Sequence, residues 1–172
     1  LTSPLIRRLR QRFPHAQIDF LTKSAFIDLV RFHPDLSETL AFPQKADFAE
    51  VRAWRKRIKH RNYDVVLDLH KNLRSLLLTT FLTKTDTKRF RKNGLRRALL
   101  VHFQQNSFSD GNAVYRRYLD VAADLGITDE GAGTHIEIPG DVRPPERIQA
   151  LSQDGQPFIA LAPGASKFTK RW

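Results

Sequence analysis

Cysteine and methionine are both missing from the 172 residues. The first absence removes disulfides, thiolate metal sites and thiol nucleophiles, and it fits a reducing compartment. The second makes Leu1 an improbable natural start, so truncation at both ends is the expectation. No apolar run approaches the length of a membrane span, and the opening Leu1-Thr-Ser-Pro-Leu-Ile-Arg-Arg8 is not a signal peptide. Internal repeats and low-complexity tracts are absent as well. Acidic residues are in deficit: 18 against 29 lysines and arginines, a formal charge of +11. That excess calls for an anionic partner, whether nucleic acid, an acidic membrane surface or a substrate rich in phosphate and carboxylate. Hydrophobic content of 41% is that of a globular domain with a real core.

What is present alternates between two periods. Leu5, Ile6, Leu9 and Phe13 recur at helical spacing behind Ser3-Pro4, which reads as an N-cap followed by proline at the first helical position, and Pro14 ends the helix. Strands are expected at 17–22, 38–42, 63–69 and 85–90. Helices are expected at 24–32, 47–61, 73–82 and 110–125, the last closed by Gly126. Such alternation predicts βαβ units around a parallel sheet, an α/β Rossmann-like fold. The first visible element is a helix, and in the doubly wound topology it crosses over from a strand at the sheet centre. An upstream strand is therefore expected, without which the sheet has an unfilled slot. From Gly126 to Pro145 the composition shifts to Gly, Pro, Asp and Thr, a connection, and 146–152 reads as a brief helix.

Phe158 to Ala162 reads as a buried strand that opens at Pro163-Gly164 into a loop with Ser166, Lys170 and Arg171. A glycine that lets the main chain approach, hydroxyl and amide donors and a lysine together suit a phosphate. An ordinary loop and a solvated lysine are the plain alternatives. Asp68 and His70 stand at the carboxyl end of a predicted central strand, where open α/β sheets bind ligands, and Lys71 and Arg74 follow in the same loop. Asp68 could equally cap the next turn, His70 could pack, and the cations could form a solvated face. Two basic runs stand out, 52–61 and 88–97. The first reads mainly as a solvated helix face with an added attraction to anionic lipid. The second contains Gly94 and, with Arg91 and Lys92, is the better candidate for a binding loop. His15, His33, His60, His102 and His135 show no metal-ligand spacing.

Four segments line up, in order, with one family. Residues 2–22 resemble the opening helix and second strand of the heptosyltransferases of lipopolysaccharide synthesis, glycosyltransferase family 9. Tyr63-Asp-Val-Val-Leu-Asp-Leu-His70 with Arg74-Ser75 resembles their fourth strand and turn. Tyr115-Arg-Arg-Tyr-Leu119 is similar to their Arg-Tyr helix. Pro163-Gly-Ala-Ser166 with Lys170-Arg-Trp172 resembles the start of their nucleotide-binding domain. The resemblance implies a GT-B architecture, with residues 1–140 an acceptor-binding domain lacking its first strand and 141–172 a linker plus the start of the nucleotide-sugar domain. It implies metal-independent, inverting transfer from a nucleotide sugar such as ADP-heptose to the inner core on lipid A, with no cofactor, in the cytoplasm or at the cytoplasmic face of the inner membrane. Gly164, Ser166 and Lys170 would bind the donor diphosphate, and His70, Lys71, Arg74, Arg91 and Lys92 the acceptor. Ala165 falls where some members carry threonine. The general base would lie in a Gly-Asp turn upstream of Leu1, which leaves this chain inert by itself. The alternative to a transferase is a basic nucleic-acid-binding α/β module, suggested by the charge and by Trp54, Phe90 and Tyr115 near cations, although no nucleic-acid motif is present.

Overall fold

A computed structural model describes residues 1–80, 82, 84–90, 113–131, 133–140, 142, 143, 145, 146, 148 and 149. The order is α1 (Ser3–Arg12), β1 (Asp19–Lys23), a 3-10 segment Ser24–Leu29, β2 (Glu38–Phe42), α2 (Phe48–His60), β3 (Val65–Asp68), α3 (Leu73–Thr79), β4 (Asp86–Arg89), α4 (Val114–Leu119) and a second 3-10 segment, Asp120–Leu125. The chain divides into two units, Leu1–Glu137 and Ile138–Trp172. In the second, the described backbone includes one helical turn, in which the Ile148 N–H donates to the Pro145 carbonyl at 2.8 Å.

The four strands among the described residues are parallel, and they pair in two separate couples. β1 runs beside β2, with Asp19 opposite Glu38 and Lys23 opposite Phe42. β3 runs beside β4, with Val65 opposite Asp86 and Asp68 opposite Arg89. Among the described residues no strand joins β1 to β3, so the sheet is interrupted where the sequence places a central strand. Burial follows the interruption. Leu40 and Phe42 of β2 are buried, whereas no residue of β1 is, and β3 buries only Asp68. At the amino-terminal ends the couples are tied by side chains instead. The Arg61 guanidinium donates to Asp19 Oδ2 at 2.7 Å and to Glu38 Oε2 at 2.5 Å, and the Tyr63 hydroxyl donates to the same Asp19 oxygen at 2.5 Å. Burial and the Asp19 carboxylate push the Tyr63 hydroxyl up to about 12.

Helices cover both faces. On one, Leu5, Leu119, Ala122 and Ile127 form a buried cluster joined by Leu9, Leu67 and Tyr118. On the other, Phe42, Val51, Ile58 and Leu78 pack with Trp54, Leu21 and Tyr63. Local signals explain the helix ends. Asp47 accepts from the Glu50 N–H while Glu50 accepts from the Asp47 N–H, a capping box that starts α2. Gly126, at φ +78°, closes the second 3-10 segment.

Several expectations need correction. The N-cap of α1 is Thr2, with no side-chain bond; the Ser3 hydroxyl accepts instead from the His135 N–H at 2.8 Å. The helix from Leu73 stops at Thr79, because Thr80 turns extended and both threonine hydroxyls donate back to carbonyls of the preceding turn. The helix expected over 24–32 is a 3-10 segment, and that over 110–125 is α4 followed by 3-10 with a non-helical Ala122. The terminal strand expected at 158–162 lies outside the described residues.

The loop at the carboxyl end of β3

The best-built polar site is the turn between β3 and α3. Asp68, 5% exposed, ends β3 with its carboxylate pointed into the following loop. Oδ1 accepts the backbone N–H of His70 at 3.0 Å and of Lys71 at 2.8 Å, and Oδ2 accepts the Ser75 hydroxyl at 2.9 Å. A carboxylate satisfied by three donors is a stable buried group, and the same bonds shape the loop around it. Asn72 and Ser75 add a capping box: the Ser75 N–H donates to Asn72 Oδ1 at 2.8 Å, and the Asn72 N–H to Ser75 Oγ at 3.0 Å. Lys71 takes φ +43°, a left-handed conformation that lysine adopts only when its surroundings impose it.

His70 and Lys71 are exposed on this loop, and Arg74 is half-buried with its guanidinium 5.7 Å above the Phe42 ring, at the carboxyl end of β2. Three of the five residues expected to bind an acceptor are thus brought together at the carboxyl edge of the parallel strands. Arg91 and Lys92, and the expected donor residues Gly164, Ser166 and Lys170, lie outside the described residues. Asp68 performs the capping alternative. Both of its oxygens are engaged in shaping the loop, and the side chain is buried.

Arg89 was not singled out by the sequence. It ends β4 opposite Asp68, donates to Thr79 Oγ1 at 3.3 Å and keeps a buried Nε without a hydrogen-bond partner. Its only signal was its place as the last residue of a strand paired with β3. Beyond it, buried Phe90 meets the Tyr118 ring edge-on at 5.3 Å and carries Arg117 at 4.7 Å. Among the described residues no group of three or more His, Cys, Asp or Glu could hold a metal ion, and no helix is long and apolar enough to cross a membrane. A shallow depression lined by Lys59, Asn62, Leu82, Lys84 and Thr85 lies at the other, amino-terminal end of β3 and β4.

Known proteins resemble the chain in fold and sequence. A crystal structure of a glycosyl transferase family 9 protein from Veillonella parvula superposes with a TM-score of 0.65 at 21% identity, covering 99% of this chain and 52% of that one. Lipopolysaccharide heptosyltransferase 1 of Pseudomonas aeruginosa is 22% identical over 99% of the chain and 50% of its own length. Lipopolysaccharide heptosyltransferase 3 of Escherichia coli K12 is 25% identical over 100% of the chain and 52% of its own length. The chain therefore spans about half the length of the relatives it matches. The sequence model of glycosyltransferase family 9 (heptosyltransferase) matches residues 51–172. With that match over most of its length and the fold to go with it, the chain belongs to glycosyltransferase family 9.

Proposed function

We propose that residues 1–140 form the acceptor-binding lobe, and 141–172 the opening of the nucleotide-sugar lobe, of an inverting, metal-independent heptosyltransferase of lipopolysaccharide core synthesis. The donor is ADP-heptose and the acceptor the anionic inner core on lipid A, met at the cytoplasmic face of the inner membrane. The observation that carries this reading is the Asp68-locked loop, which presents His70, Lys71 and Arg74 at the ligand edge of the sheet. Arginine pairs bidentately with phosphate and carboxylate, and lysine adds a point charge, so the loop suits an acceptor bearing both groups. Arg91 and Lys92 extend the acceptor site, while Gly164, Ser166 and Lys170 hold the donor diphosphate and stabilise it as it leaves.

Transfer also needs a base to take the acceptor proton. Asp68 is occupied, so the base comes from a turn after a strand filling the gap between β1 and β3. By itself the 172-residue chain binds acceptor and does not turn over. Calorimetric titration with a soluble phosphorylated inner-core oligosaccharide tests this. Binding should weaken about tenfold in Lys71→Ala or Arg74→Ala, as expected for a lost charge-assisted bond. Turnover of ADP-heptose by the chain alone would refute the assignment of the base. Equal, steeply salt-dependent binding to duplex DNA would favour a general polyanion binder.

A further inference from the structure

α2 and α3 lie side by side over the same face of the sheet, and their outward sides differ in kind. α2 turns Val51 and Ile58 inward and leaves Arg52 and Lys56 exposed on its outward side. α3 turns Leu78 and Thr79 inward, and its solvent side is leucine: Leu73 is 74% exposed, Leu76 43% and Leu77 38%. At positions i, i+3 and i+4 these three share one helix face. Residues 48–80 hold eight lysines and arginines against three acids. Two of those acids are already engaged, Glu50 in the α2 capping box and Asp68 in the loop.

We propose that this outer face of the α2–α3 layer docks on an anionic lipid bilayer, the α2 cations meeting lipid phosphates and Leu73, Leu76 and Leu77 entering the headgroup–acyl boundary. Cations beside an apolar strip are the composition of an interfacial helix surface. A protein or nucleic-acid phosphate would be served by the cations but would give the leucines nothing to bury in. Leu73 stands two residues after Lys71 in the sequence, so the docked face runs into the proposed acceptor loop and brings that loop to the level of lipid headgroups. The proposal rests on the transferase reading only for that last connection.

Cosedimentation of the intact chain with vesicles tests it, without donor or acceptor. Vesicles of phosphatidylglycerol and phosphatidylcholine should bind the chain, and phosphatidylcholine alone should bind it at least about tenfold less, since each cation near an anionic surface contributes about a factor of five. Arg52→Glu with Lys56→Glu should lower partition by about tenfold or more. Leu73→Gln with Leu76→Gln and Leu77→Gln should lower it by a similar factor, with both variants melting as the parent does. On the unaltered chain, raised salt should weaken binding without abolishing it. Failure to bind the anionic vesicles overturns the proposal, and inner-core oligosaccharide binding can persist regardless. Binding that the leucine variant leaves intact, or that salt removes completely, overturns it in favour of a plain polyanion contact.

Discussion

In the layer built from α1 and α4, the cations are used to hold the fold. Arg8 grips Glu130, and Arg10 donates to the carbonyls of Asp35, Pro14 and Ala16 and to the Ser37 hydroxyl. Arg116 reaches Asp129 at 2.8 Å. In the layer built from α2 and α3, Arg52 and Lys56 project from an exposed side, and leucines stand beside them. Arg57 and Arg61 of the second layer also find acids, Glu38 and Asp19, so the contrast lies on the outer side of α2. Positive charge around α1 and α4 is engaged in internal structure, while Arg52 and Lys56 stay exposed to solvent.

Core truncation should give the largest effects and can break this contrast. Leu5→Ala opens a cavity beside Ala122, which has no exposure, and should cost about 4 kcal/mol by urea denaturation. Ile58→Ala, in the more open α2–α3 cluster, should cost about 2 kcal/mol. The reverse order would show that the second layer is the better packed.

Next in size is Asp68. Asp68→Ala orphans the amides of His70 and Lys71 and should cost about 2 kcal/mol. Asp68→Asn keeps an acceptor for both amides and should retain most of the stability and oligosaccharide binding. Loss of binding in the asparagine variant, with the fold intact, would mean that the charge itself touches ligand.

Smallest should be surface charge and acid. Arg52→Ala should change stability by less than about 0.5 kcal/mol, with Arg8→Ala costing slightly more. Lys88 holds the Asp124 carboxyl below its ordinary range, and the Gly131 amide and Arg116 do the same for Asp129. Carboxyls depressed in the folded state stabilise it above their unfolded pKa of about 4, and that contribution is lost as pH falls through the lowered values. His33, lowered mainly by burial, adds a loss that begins as pH drops below about 6.5. Amide protection should therefore weaken around His33 first on acidification, and around Asp124 and Asp129 at lower pH. If α2 and α3 open first, the contrast fails.

The elements with one clear period were legible. Glu38–Phe42 was expected as a short strand and is one over those residues, and the helix expected over 47–61 is α2, Phe48–His60. What needed the fold was every property set by a neighbour. Asp68 reads in sequence as the end of a strand, but its clamp depends on Ser75 folding back one helical turn later. Arg89 is unremarked in a basic run until it is paired opposite Asp68. A helix was expected over 73–82, but composition cannot say which of its leucines meet the sheet and which meet solvent. The split between β1 and β3 was foreseeable because topology, unlike packing, follows from element order.

Lys71 stands where the backbone would be cheaper for glycine. Its φ of +43° suits a residue without a side chain, yet the long cationic side chain is what the proposed site would use. Lys71→Gly should raise the melting temperature while weakening oligosaccharide binding. Thermal resilience and ligand affinity would then trade against each other at a single residue, and selecting for a hardier protein at this position would select against its use.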